Sequence, residues 1–187
     1  PNANNLMYTY WNGSTWITET IEDTNMKGIY PSLKLDSSDT PHVSFHDDGP
    51  DDVIYATKNG TWQVEVVDEA GYVGVGFNEI DIDSNGYPHI VYTDNLLDRI
   101  MYAYWTGSTW QIQTGVEFLG DDETLSRQVS LSLDSMDRPH ISYMYSDNVT
   151  ISLHYLYWDG SVWFDEVVDN SSNVAIHNCI VVDNTDT

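Results

Sequence analysis

The chain is poor in the residue types that mark several broad classes of protein. Its 187 residues include one cysteine, Cys179, so no disulfide forms within the chain. The apolar neighbours of Cys179 predict a buried structural thiol. Basic side chains are almost as scarce, with six Lys and Arg against 30 Asp and Glu and a formal charge of −24. Such a charge repels the phosphates of nucleic acids and of anionic membranes, which argues against both as partners. No long apolar run reads as a membrane-inserting helix or a signal peptide. Nucleophile elbows, phosphate loops and paired-His zinc motifs are missing. The sequence starts at Pro1 rather than Met, which reads as a processed segment of an exported protein, extracellular or at the cell surface.

What is present is a repeat. Tyr, then Gly, then Trp, then an aliphatic-Asp step recurs four times: Tyr8-Gly13-Trp16-Asp36, Tyr55-Gly60-Trp62-Asp83, Tyr102-Gly107-Trp110-Asp134 and Tyr155-Gly160-Trp163-Asp183. The first three copies add a Pro-His step after the Asp, at Pro41-His42, Pro88-His89 and Pro139-His140. Successive tyrosines lie 47, 47 and 53 residues apart, a period typical of solenoids and propellers. One repeat domain over residues 1–187 follows, with repeats at about 6–52, 53–100, 101–152 and 153–187.

Inside a repeat the apolar residues alternate, and the segments they mark are short, aromatic and β-branched, as in half-buried strands. The first unit divides into Leu6–Trp11, Thr15–Ile21, Ser32–Asp36 and His42–His46. The third divides into Met101–Trp105, Thr109–Thr114, Ser130–Asp134 and His140–Met144. Hairpin turns join the first pair through Asn12-Gly13, Asn59-Gly60, Thr106-Gly107 and Asp159-Gly160, where Gly supplies the positive φ of a tight turn. The second pair is joined by an Asp-capped turn, after which Pro opens the next strand. The fold class is therefore all-β: a β-propeller of four repeats of about 48 residues with four strands each.

The stretches Leu133-Asp134-Ser135-Met136-Asp137-Arg138-Pro139-His140-Ile141-Ser142-Tyr143 and Gly107-Ser108-Thr109-Trp110 resemble the blades of sialidase-like (Asp-box-like) and lectin-like propellers of bacteria and archaea. The resemblance spans nearly the whole chain and implies a blade rather than an activity. It lacks the box aspartate two positions before the glycine, where Trp11 and Lys58 stand. A sialidase-type site would need an arginine cluster, and the chain has only Arg99, Arg127 and Arg138.

Ordering the strands from the axis outward starts each blade at the Leu-Asp strand. The chain then opens with two outer strands, contains three whole blades and stops after an inner strand at Ile180–Asp183. That makes fifteen strands, one short of four complete blades. A self-closed ring, completion by a partner and a fragment of a larger propeller all remain open.

Spacing locates the face that varies. The Asp-to-His and Tyr-to-Trp turns keep their lengths, whereas the connections at the other ends of the strands do not, as on the binding faces of repeat scaffolds. That face includes Tyr30, Tyr72, Phe77, Arg99, Phe118, Arg127 and Tyr145, and aromatic planes beside carboxylates suit carbohydrate recognition. The recurring Trp16, Trp62, Trp110 and Trp163 read as core fillers, whereas Trp11, Trp105 and Trp158 read as surface. His42, His89 and His140 sit too far apart for a shared metal and are expected to hydrogen-bond the adjacent Asp turn. Asp81–Gly86 begins like a calcium loop, but its twelfth position is Tyr92 rather than Glu. The acidic loops with Asp47, Asp48 and Asp51, and with Asp121 and Asp122, raise calcium as a cofactor. Asn12, Asn59, Asn148 and Asn170 head glycosylation sequons.

The expected function is an exported non-catalytic module that binds carbohydrate or a cell-surface protein, lectin-like or adhesin-like. The alternative is a self-associating subunit of an extracellular filament or surface layer, completed by strand exchange between chains.

Overall fold

The computed structural model describes residues 5–22, 28–117, 128–146, 150–171, 177–183 and 185–186. Among them are fourteen strands and no helix. β1 (Leu6–Trp11) and β2 (Trp16–Glu22) form an antiparallel pair. Three four-stranded meanders follow, each paired in chain order. The first contains β3 (Gly28–Leu35), β4 (Pro41–Asp47), β5 (Asp52–Asn59) and β6 (Thr61–Asp68). The next contains β7 (Val73–Ile82), β8 (Pro88–Asp94), β9 (Arg99–Trp105) and β10 (Trp110–Glu117). The last contains β11 (Val129–Leu133), β12 (Pro139–Ser146), β13 (Ile151–Trp158) and β14 (Trp163–Asp169). We call the four units blades 1 to 4. Two outer strands precede three whole blades, as the sequence phasing predicts.

The fifteenth strand does not form: Ile180–Asp183 runs beside β11 without a backbone ladder. Its Ile180 and Val182 amides donate to Ser130 Oγ and Ser132 Oγ, at 3.1 and 3.0 Å. Inner strands of neighbouring blades meet through side chains, and among the described residues no second strand pairs with this segment. Cys179, on this segment, is exposed rather than buried, with no described blade packed over it.

The core lies at the junctions between blades. Leu6 and Ile21 of blade 1 pack with Val43, Phe45, Ile54 and Ala56 of blade 2. Val53, Tyr55 and Val67 meet Ile80, Ile90, Tyr92 and Ala103 of blade 3. Val91, Ile100 and Tyr102 meet Val129, Leu131, Ile141, Tyr143 and Leu156 of blade 4. Each of the Val, Leu, Ile and Phe side chains among them contributes about 1.5–3 kcal/mol when fully buried. The end faces lack this cover. Leu33 on β3 is half exposed, whereas its counterparts Ile80 and Leu131 are buried; Leu35 is equally exposed, whereas its counterparts Ile82 and Leu133 are partly buried. Trp16 is 66% exposed, against the expectation of a core filler, because no tyrosine among the described residues covers it. Trp62, Trp110 and Trp163 each pack edge-on against such a ring, Tyr8, Tyr55 and Tyr102.

The conserved-length turns form a relay in each whole blade. Asp36 Oδ1 accepts the amides of Ser38 and Thr40, Asp83 Oδ1 those of Asn85 and Tyr87, and Asp134 Oδ1 those of Met136 and Arg138. The other carboxylate oxygen faces Nε2 of His42, His89 or His140 at 3.6, 3.7 and 3.4 Å. Nδ1 of each ring meets the hydroxyl of Tyr55, Tyr102 or Tyr155. Gly107 illustrates how tightly the turns meet: at φ +88°, a Cβ there would lie 2.7 Å from the Tyr87 hydroxyl.

Burial pushes the Tyr55 hydroxyl up to about 12, so it stays a phenol. Burial would also raise Asp134, but Arg138, two backbone amides and His140 outweigh it and hold the carboxyl at about 2. His89 and His42 are lowered, by burial first and against the pull of Asp83 and Asp36. A histidine whose folded pKa is depressed contributes stability that is lost as pH falls below its unfolded value, about 6.5. Thermal melts are therefore expected to drop between pH of about 7 and 5, and less so in His89→Gln. Tyr102→Phe should cost about 1–3 kcal/mol by leaving His89 Nδ1 unpaired. A pH-independent melting temperature, or an unshifted Tyr102→Phe, would contradict the relay.

Candidate functional site

At the strand ends opposite these turns, a cavity of about 440 Å³ opens between β10 of blade 3 and the body of blade 4. β10 supplies Val116 and Glu117, and blade 4 supplies Tyr143, Tyr145, Ser152, His154, Asp165 and Val167, with Thr150 and Asn170 at the rim. Alternation along the strands puts Tyr143 with Tyr145, Ser152 with His154, and Asp165 with Val167 on the same face.

These side chains form one polar network. Tyr143 donates its hydroxyl to Asp165 Oδ1 at 2.8 Å. His154 Nδ1 lies 3.2 Å from both oxygens of Asp165 and from the Tyr143 hydroxyl, and Nε2 lies 3.0 Å from Ser152 Oγ. The rings of Tyr143 and Tyr145 each stand 5.1 Å from the imidazole, tilted by 38° and 41°. Burial and then the charge of Asp165 push the Tyr143 hydroxyl well above the ordinary tyrosine range, so it remains a donor.

No other described blade builds this network. In the strand register, His154 and Asp165 correspond to Met7 and Thr18, Ile54 and Val64, and Met101 and Ile112. Tyr143 corresponds to Phe45 and to Tyr92, and Tyr92 donates instead to Asp68 at 2.6 Å. Blade 4 has exchanged apolar packing for hydrogen-bonding groups. Tyr145 was legible in the sequence as a candidate, but Tyr143, Ser152, His154 and Asp165 were not. The signal for His154 and Asp165 is polarity at two positions that are apolar in blades 2 and 3.

The other candidates are dispersed. Tyr30 and Tyr72 are exposed and hold positive φ, 52° and 64°. The Tyr30 ring lies 5.6 Å from that of Phe77, at the junction of blades 2 and 3. Arg99 Nε lies 3.5 Å from Oε1 of Glu117, which places it behind one wall of the cavity. Arg138 is held at the opposite end, 2.6 Å from Asp134. Phe118, Arg127, Asp121, Asp122 and Asn148 lie outside the described residues. Asp47 is buried and turned onto the Gly49 amide, whereas Asp48 and Asp51 gather with His46, their ligand atoms within 4.8 Å of one another. Asn12, Asn59 and Asn170 are exposed, and Asn12 Oδ1 is engaged by Ser14 and Thr15 in its turn. Trp11 is exposed beside Trp16; Trp105 and Trp158 are half-buried against Trp110 and Trp163. Lys58, in their place in blade 2, pairs with Glu19 of blade 1 at 2.6 Å.

No protein-family model and no curated protein sequence matches the chain. Solved structures do. A PL25 ulvan lyase bound to -[GlcA(1-4)Rha3S]- is 14% identical over 90% of this chain and 51% of its own length, with a TM-score of 0.58. A triple arginine-to-alanine mutant of AofleA from Arthrobotrys oligospora gives the same identity and coverage at a TM-score of 0.57. A fucose lectin from Kordia zhangzhouensis in complex with methyl-fucoside is 17% identical over 75% of this chain and 99% of its own, at 0.46. The chain thus spans about half the length of the first two. The likeness to the first two shows the fold alone: an all-β, propeller-like architecture.

If the blade 4 network is kept for something other than stability, grafting the apolar set of blade 2 onto it should cost little. The triple change Tyr143→Phe, His154→Ile and Asp165→Val is expected to melt within about 1 kcal/mol of the parent, whereas Asp165→Val alone should lose about 1–3 kcal/mol. A triple variant much less stable than the single one would make the network structural.

Proposed function

We propose that this chain is a non-catalytic carbohydrate-binding module, extracellular or at the cell surface, which seats a sugar in the blade 4 cavity. One observation carries the reading: a hydrogen-bonding network flanked by aromatic rings occupies, in a single blade, positions that are apolar in blades 2 and 3. The half-buried ring of Tyr145 offers a plane for the apolar face of a pyranose. Asp165, Ser152, Thr150 and Asn170 offer partners for its hydroxyls. The volume falls in the range of small-ligand sites. Among the described residues no Lys or Arg lines the cavity, while Glu117 and Asp165 do, so a neutral or amino sugar fits better than a uronate, a sulfate or a sialate.

The same lining supports a non-catalytic role. A glycosidase pair needs one carboxyl group held in its acid form by apolar surroundings. Glu117 faces Arg99, and Asp165 accepts from Tyr143 and His154. A sialidase-type arginine cluster has no counterpart among the described residues, where Arg99 and Arg138 stand at opposite ends of the strands.

The end faces favour a second reading, self-association head to tail. Val168 is 59% exposed where its counterpart Val67 is 6% exposed, and among the described residues no tyrosine covers Trp16. A second copy that set its Trp16 on Tyr155 would repeat the other three junctions, and repetition would give the filament expected as the alternative function. Sedimentation over a range of concentrations tests it: association abolished by Trp16→Glu is expected, and a monomer throughout removes this reading.

For the sugar site, a glycan array followed by calorimetry on the best neutral hit is expected to give binding. Tyr145→Ala should weaken it by about tenfold, and the triple blade 4 variant should abolish it. Undiminished binding by the triple variant would move the site elsewhere. Release of new reducing ends from a bound glycan would overturn the non-catalytic assignment.

A further inference from the structure

The junction of blades 2 and 3 carries a separate feature at the same end of the strands. His46 is 1% exposed, and its Nδ1 lies 3.1 Å from the carbonyl oxygen of Val73. A carbonyl only accepts, so Nδ1 carries the proton and donates it. In the neutral ring Nε2 then presents a lone pair. What it faces is Asp51 Oδ1, at 3.4 Å. A buried nitrogen lone pair thus points at a carboxylate, with Asp48 completing the group.

We propose that His46, Asp48 and Asp51 bind a divalent transition-metal ion of the zinc class. Ligand bonds of about 2.0–2.1 Å in a tetrahedral site place ligand atoms about 3.4 Å apart. His46 Nε2 and Asp51 Oδ1 already stand at that separation. All three ligand atoms lie within 4.8 Å of one another. An imidazole with two carboxylates suits zinc or manganese, whereas calcium selects six to eight oxygens. Three protein ligands leave at least one position for water.

The surroundings are built for it. Val73 holds both sides of the site: its carbonyl orients the imidazole, as outer-shell acceptors do for metal-binding histidines, and its amide donates to Asp51 O at 3.1 Å. Gly74 makes this approach feasible, since at φ +69° a Cβ would meet Val53 Cγ2 at 2.8 Å. Asp47, Asp52 and Asp68 are buried at the same end. The feature belongs to blade 2 alone among the described blades. In blade 3 the positions of His46 and Asp48 hold Thr93 and Asn95, which satisfy each other at 2.9 Å. In blade 4 they hold Met144 and Ser146.

Calorimetric titration of the chelator-treated chain with zinc chloride, in excess calcium to occupy weak acidic sites, tests the assignment. One zinc per chain is expected, weakened by at least about tenfold in Asp48→Asn and in Asp51→Asn. Both changes keep the side-chain shape, and Asn also adopts the positive φ of 64° found at Asp51. Nitrogen NMR of the histidine rings should show zinc shifting one buried Nε2. Absence of zinc binding in calcium, or binding that both variants retain, overturns the site. Binding without a histidine shift overturns the nitrogen ligand.

Discussion

Each whole blade depends on one carboxylate at the end of its inner strand. Asp36, Asp83 and Asp134 use one oxygen to fold the following turn and the other to face a histidine, which in turn holds a tyrosine hydroxyl one strand further out. That tyrosine is the ring on which the tryptophan of the next blade rests for Tyr55 and Tyr102, and Tyr8 serves Trp62 in the same way. A single side chain therefore sets turn, strand spacing and blade-to-blade contact. This explains why the Asp-to-His spacing is fixed while the opposite connections differ in length. Changing it would leave a buried imidazole and phenol without partners, each at a cost of about 1–3 kcal/mol.

Neighbouring blades solve a second problem near the axis. Their inner strands lie side by side but share no ladder, so the backbone amides facing the gap must find side-chain acceptors. Ser32 Oγ takes the Ile80 amide, Glu79 and Asp81 take those of Leu131 and Leu133, and Ser130 and Ser132 take those of Ile180 and Val182. One step along, the contact alternates in chemistry. Ser44 donates to Asn78 and Ser142 to Asn178, while Val91 and Val129 fill the junction between them. The repeat keeps the geometry and lets each junction choose polar or apolar closure.

This division of labour leaves the far ends of the strands free to vary. Blade 4 has turned part of its apolar face into the network of Tyr143, His154 and Asp165, and blade 2 has gathered His46, Asp48 and Asp51. Both features interrupt one blade of an otherwise regular scaffold and remove apolar contacts or concentrate charge, which stability alone does not favour. The high negative charge of the chain acts on both in the same sense: it disfavours anionic sugars in the first and draws cations to the second.

The repeat, the four-strand unit, the hairpin turns and the order of strands from the axis outward were legible in the sequence, because each rests on local chemistry. Gly supplies a backbone angle, Asp caps a turn, and alternation marks a buried face within a few residues. The tail at Ile180–Asp183 carries the inner-strand pattern yet stays outside the ladders, since a strand is defined by a partner and the pattern alone brings none. Trp16 and Cys179 have the sequence surroundings of buried residues and are exposed for the same reason. The sites were less legible still. Asp47 and Asp48 are neighbours in the chain, but strand geometry turns the first inward onto Gly49, while Asp48 joins His46 and Asp51. His154 and Asp165 lie on different strands and meet only through the β13–β14 register. The sequence determined the blade, because its signals are short-range. Tertiary packing decided which side chains share a cavity, because that depends on register and on which faces a neighbouring blade covers.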